Sequence, residues 1–151
     1  METAGRILET AERMMKKYGK MRATIYVDDD GVGGGVTDRL REVIHERKMH
    51  AVVIDCHNGK PAGDKEHYAN FAAEGWCRLR ERFAAGTIQL PQNDELAAQL
   101  STRKYKVNSK GQIALEEKAI YKKRTRRSPD RADALVLAFS EGAADWSGLM
   151  T

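Results

Sequence analysis

The segment ATIYVDDDGVGGGVTDRLREVIHERKMHAVVID, Ala23 to Asp55, decides how the chain folds. Its opening run, Ala23 to Asp28, is β-branched and aromatic and reads as a buried strand. Val36, Leu40, Val43 and Ile44 then recur at helical spacing, and Ala51 to Asp55 is a second continuous apolar strand. Strand, helix, strand with connections of this length predicts a right-handed parallel crossover, and hence an α/β fold. The acids and glycines in the turn allow three readings: a phosphate loop, a metal site or a plain turn. The pattern G-x-x-x-x-G-K-[ST] fails because Val36 and Thr37 follow Gly35. G-x-G-x-x-G, started at Gly31 and Gly33, fails because Val36 stands where the third glycine is needed. Asp28, Asp29 and Asp30 would also repel a phosphate. A metal site fits better, since a carboxylate at the carboxyl end of a parallel strand sits where open α/β sheets bind ligands. Asp28 is the candidate, with Asp29 and Asp30 read as the strand end and the cap of the next helix. Asp55 ends the neighbouring strand and could approach the same crevice.

Working outward, residues 2–18 place Ile7, Leu8, Ala11, Met14 and Met15 on one helical face, and Gly19 supplies a stop. Lys65 to Ala85 predicts another amphipathic helix that buries Phe71, Trp76, Leu79 and Phe83 and ends at Gly86. NDELAAQLST opens with an Asn/Asp cap, and KYKVNSKGQIALE alternates on both sides of a turn, a hairpin signal. The last helix is predicted from SPDRADALVLAFSEG, with Ser128 at the cap, Pro129 at the first helical position and Gly142 at the end. Residues 143–151 read as a flexible tail on a single domain spanning 1–142.

With 151 residues the chain suits one compact domain. No apolar run approaches the roughly 20 residues that cross a bilayer, and no secretory signal opens the chain, so a soluble intracellular protein is expected. Cys56 and Cys77 lack metal or disulfide spacing and read as reduced thiols. His45, His50, His57 and His67 show no ligand spacing and read as surface residues or supports of a site. The net charge of +4 is mild, but YKKRTRR gathers Lys122, Lys123, Arg124, Arg126 and Arg127. That cluster suits either a polyanion or a solvated loop.

A second acidic pair lies in the terminal helix, where Asp130 and Asp133 are three residues apart and share a side. Asp130 in a first turn complements the helix dipole. Asp133 sits in the apolar run ADALVLAF, and a buried carboxylate needs a cation or strong donors. Arg131 or Lys118 could be a structural partner, and a metal is the alternative. Two sets of acids with a basic segment before the second suggest metal-assisted attack on a phosphodiester.

The runs IYVDDDGVGGGVTDRL, HYANFAAEGWCRLRERFAAGTIQLP, DELAAQLSTRKY and GQIALEEKAIYKKRTRRSPDRADALVLAF resemble, in order and spacing, the C-terminal nuclease domain of tailed-phage terminase large subunits. The resemblance spans Thr24 to Phe139. It implies a ribonuclease-H-like fold, here partial, with parallel strands flanked by helices plus a β-hairpin. It further implies metal-dependent (Mg2+ or Mn2+) cleavage of concatemeric viral DNA by two ions on three acidic positions. By motif, Asp28 resembles the second acid and Asp133 the third, while Asp130 matches an auxiliary ligand and Lys118 a lysine near the catalytic centre. The hairpin Tyr105 to Leu115, with Lys106 and Lys110, resembles an element proposed to contact DNA. Implied partners are double-stranded DNA, an ATPase-bearing terminase chain, the small terminase subunit and the portal, in the cytoplasm of a bacterial host.

The chain departs from the family pattern in two respects. The family's first acid, in a D-x-A-x-x-G-x-D setting on an opening strand, has no counterpart, and neither has the motor ATPase domain. The expectation is an N-terminally truncated nuclease domain with impaired activity and an exposed sheet edge that favours self-association. A prophage remnant, half of a split enzyme, or a non-catalytic DNA-binding or assembly subunit would share these features.

Overall fold

The computed structural model describes residues 2–20, 22–30 and 34–140. It is a mixed α/β chain with helices α1 (Glu2–Tyr18), α2 (Gly34–Glu46), α3 (Phe71–Ala84), α4 (Asp94–Thr102), α5 (Lys118–Thr125) and α6 (Asp130–Ala138). The strands are β1 (Ala23–Asp28), β2 (Ala51–Cys56), β3 (Tyr105–Val107) and β4 (Ile113–Leu115). Two compact units divide it, one up to His57 and one from Asn58 onward.

In the first unit β1 and β2 pair in parallel, from Ala23 opposite Ala51 to Asp28 opposite Cys56. The predicted strand–helix–strand unit is therefore present. Ala4 and Leu8 of α1 and Leu40 and Val43 of α2 form a buried cluster, with Ile25, Val27 and Val53 packed on it. Alternation along the strands explains the choice, because Ile25 and Val27 share one face of β1. Helix α1 stops where Gly19 takes φ +60° and Lys20 N–H bonds Met15 O. The glycine turn at 31–33 lies outside the described residues, and with it the cap read at Asp29 and Asp30.

In the second unit three elements differ from expectation. The helix predicted from Lys65 begins only at Phe71, capped by Asn70, whose side chain accepts from Ala73 N–H. The preceding backbone is already engaged: Ile113 N–H bonds His67 O at 2.8 Å and Ala69 N–H bonds Ile113 O at 2.9 Å. Those residues therefore serve the hairpin, and Phe83, expected inside, is exposed. The basic stretch, read without structure, opens with helix α5, which buries Tyr121 and leaves Ile120 exposed. A single buried residue gives no periodicity to read.

The terminal helix is the third difference. Pro129, not Ser128, holds the cap position, and the helix ends at Ala138 before Phe139 rather than running to Gly142. Its orphan N–H groups are met from another helix: the buried Gln99 side chain accepts from Arg131 N–H at 3.0 Å and Ala132 N–H at 3.1 Å. Gly142 and the tail at 143–151 lie outside the described residues. The hairpin and the Asn93 cap of α4 are as predicted. Among the described residues no helix is long and apolar enough to cross a membrane.

Helices α3 and α6 meet closely at Gly75, where an added Cβ would lie 2.8 Å from Val136 Cγ1. Beside it, Glu74 ties α3 to the preceding loop by accepting from Gly63 N–H at 2.6 Å, while Arg78 donates to it at 2.8 Å. Burial pushes the Glu74 carboxyl up, but the Arg78 and Gly63 hydrogen bonds outweigh it and hold it below the ordinary value. Two outcomes are expected. Gly75→Ala gains about 1 kcal/mol of helix propensity but overpacks against buried Val136, which typically costs about 1–3 kcal/mol. Urea unfolding should therefore show a net loss, and a stabilised variant would contradict the close packing. For Glu74, a depressed folded pKa means stability that is present above about pH 4.3 and is lost as pH falls through the lower folded value. Glu74→Gln should flatten that acid limb in unfolding curves taken across pH; an unchanged limb would show that Glu74 does not drive it.

Candidate metal centre

Parallel pairing brings the carboxyl ends of β1 and β2 to the same side. Asp29 continues the ladder, its N–H bonding Cys56 O at 2.9 Å. Asp28 is exposed, and its Oδ1 accepts from Asp30 N–H at 3.3 Å, the hydrogen bond of a turn-forming aspartate. Side chains alternate, so Asp29 falls on the Val27 face and Asp28 on the other.

Asp29, Asp55 and His57 each offer one ligand atom, all within 4.8 Å of one another. Arg41 Nη2 lies 2.6 Å from Asp55 Oδ1, and His57 stands between carboxylates, Nε2 3.5 Å from Asp55 Oδ2 and Nδ1 3.6 Å from Asp30 Oδ1. Asp29 Oδ1 is buried and has no hydrogen-bond partner. Two carboxylates at such separation repel by about 3–4 kcal/mol at an effective dielectric near 20. A cation among them would relieve that repulsion and give Asp29 Oδ1 a partner. The two carboxylates suit a hard divalent ion such as Mg2+ or Mn2+, while the imidazole is a donor that softer transition metals favour over Mg2+, so the residues present fit a divalent ion. Asp28 is not a member of this cluster. Sequence reasoning treated Asp29, Asp55 and His57 as secondary, although the register of two parallel strands with acidic ends was the signal available.

In the second unit, Asp133 stands in the first turn of α6 with its side chain 15% exposed. Trp76 Nε1 donates to its Oδ1 at 3.1 Å, and Lys118 Nζ lies 3.0 Å from its Oδ2. Lys118 is thus the partner of Asp133, while Arg131 pairs with Glu95 at 2.9 Å. Asp130 is exposed and accepts from Ser128 Oγ. Trp76 was expected only as a core residue, because nothing in sequence spacing connects positions 57 residues apart.

The basic residues divide by role. Arg124 turns inward, donating to Glu116 at 3.1 and 2.7 Å and to Thr102 O at 2.8 Å. Those hydrogen bonds hold the Glu116 carboxyl below its usual range. Lys122, Lys123, Arg126 and Arg127 are exposed, with Arg126 closing α5 at φ +61°. Lys106 on β3 and Lys110 in the hairpin turn are exposed too.

No protein-family model and no curated protein matches the sequence. Among solved structures the chain is similar to the nuclease domain of the large terminase subunit gp2 of bacterial virus Sf6, with a TM-score of 0.61 and 18% identity over 82% of this chain and 66% of that one. A lysine-to-alanine mutant of that domain with manganese gives a TM-score of 0.62 at 17% identity, over 82% and 67%. A mutant gp2c with calcium gives 0.61 at 17%, over 82% and 66%. The chain thus spans about two thirds of the length of these neighbours. At such identities the likeness is one of fold alone: this chain shares the fold of the nuclease domain of that large terminase subunit.

Proposed function

We propose that the chain is a metal-dependent nuclease domain of the terminase type, acting on double-stranded DNA during packaging. One observation carries the reading: at the carboxyl end of a parallel strand pair, in this fold, Asp29 Oδ1 is buried without a partner beside Asp55 and His57. Asp28 at the same strand end, and Asp133 with Asp130 on α6, are the further acids assigned to metal. Bound Mg2+ or Mn2+ would supply Lewis-acid polarisation of the phosphodiester, two ions dividing that work between the attacking and leaving oxygens.

The remaining roles belong to the chain's own side chains. Lys118 balances the Asp133 charge at 3.0 Å, and must release Oδ2 before that oxygen can be offered to another cation. That competition favours weak metal affinity and slow turnover. Lys122, Lys123, Arg126 and Arg127, with Lys106 and Lys110, hold phosphates, each contact adding a salt-sensitive increment. Arg124 is assigned to the same surface, although its guanidinium is engaged by Glu116 and acts there through position. An ATPase-bearing terminase chain, the small subunit and the portal are the partner classes, in the cytoplasm of a bacterial host. Self-association would use β1, which pairs only with β2 among the described residues and borders an open groove of about 380 Å3 lined by Ile7, Met14 and Tyr18.

Calorimetric titration with Mn2+ and nicking of supercoiled plasmid test the reading together. Binding should be detectable in the wild type and reduced by Asp29→Asn or Asp133→Asn, with slow, metal-dependent nicking lost in both variants. DNA retention that falls with salt, ignores metal and survives both substitutions would mark a non-catalytic binding module instead. Light scattering checks self-association, which a clean monomer at high concentration would contradict.

A further inference from the structure

The Asp133 carboxylate is held by two donors of different kinds. Lys118 is a half-exposed ammonium on a long aliphatic stem. Trp76 is a rigid ring on α3, and its N–H reaches Oδ1 at 3.1 Å across the contact between α3 and α6. Trp76 is partly buried, and an indole N–H withdrawn from water needs an acceptor; a backbone carbonyl would have satisfied that need. Here the acceptor is an ionisable carboxylate on another helix, and a hydrogen bond to a charged group is the stronger kind.

The surroundings fix the ring. Gly75, the residue before Trp76, leaves no Cβ between α3 and Val136, so the helices approach closely enough for the indole to reach α6. The Arg103 guanidinium lies 5.8 Å from the Trp76 ring centre and 5.3 Å from that of Tyr121. Its Nε and Nη1 are buried with no hydrogen-bond partner. Arg103 therefore lies within cation–π reach of both rings, an arrangement that holds a ring in place. Gln99 capping α6 fixes the helix that carries Asp133.

We propose that Trp76 is a positioning residue for Asp133: its indole N–H pins Oδ1, so that Oδ2, the oxygen covered by Lys118, is presented in a fixed direction to an arriving divalent cation. The proposal rests on the reading of Asp133 as a metal ligand. Partners of this kind, behind a metal-binding side chain, change affinity by roughly 10–100-fold when removed.

The test compares Mn2+ affinity by calorimetry in wild type, Trp76→Phe and Asp133→Asn. Trp76→Phe keeps the ring and loses the N–H. About 10-fold weaker binding is expected, with little change in thermal midpoint. If Asp133→Asn weakens binding while Trp76→Phe binds as the wild type does, the positioning role is wrong and the ligand reading stands. If Asp133→Asn binds as the wild type does, the ligand reading fails and the proposal goes with it. Should Trp76→Phe not fold, the indole N–H resonance of nitrogen-labelled protein decides, assigned with a Trp146→Phe variant. Added Mg2+ should shift the Trp76 signal, saturating at the concentration at which Mg2+ itself binds by calorimetry; an unmoved signal overturns the proposal.

Discussion

Two parallel strands joined by a helix must finish on the same side, and much of the first unit follows from that constraint. Ile25, Val27 and Val53 of β1 and β2 pack on α1 and α2, and polar residues follow at the strand ends. The register sets Val27 against Asp55 and Asp28 against Cys56, so Asp55 and Asp29, one residue past β1, arrive on the same face. A stable core and a concentration of negative charge are therefore products of one pairing. The core offsets the repulsion at its edge, and the edge is where a cation is worth most.

The second unit handles charge differently. An ionised Asp133 in an apolar helix would be costly alone, and the fold answers it with one half-exposed cation and one neutral donor from another helix. The neutral donor depends on a glycine, an arginine close to two rings and a glutamine capping the helix, none of which touches the carboxylate. A site of this kind holds its geometry through packing. Arg124 shows the opposite use of a basic residue, since its Nε and Nη2 are committed to Glu116 and Thr102.

Much of this was legible in the sequence. The β1–α2–β2 unit follows from hydrophobic period alone, and the hairpin and the Asn93 cap from turn and capping chemistry. Asp133 stood out because a carboxylate in ADALVLAF demands a partner, and Lys118 was one of two named. What escaped was set by tertiary contact. Residues before Phe71 carry a helical pattern yet give their backbone to β4, and Gln99 caps a helix more than thirty residues away. Asp29, Asp55 and His57 are each unremarkable locally, and only the parallel register makes them neighbours.

The account stands on the acids at the carboxyl end of β1 and β2 being a cation site and not a tolerated cluster of charge. An anomalous difference map from crystals grown with Mn2+ reads this directly. A peak at bonding distance from a carboxylate oxygen at that strand end, with His57 drawn toward it, is the predicted result. Saturating Mn2+ with no peak there, and His57 still lying between Asp55 and Asp30, would contradict it.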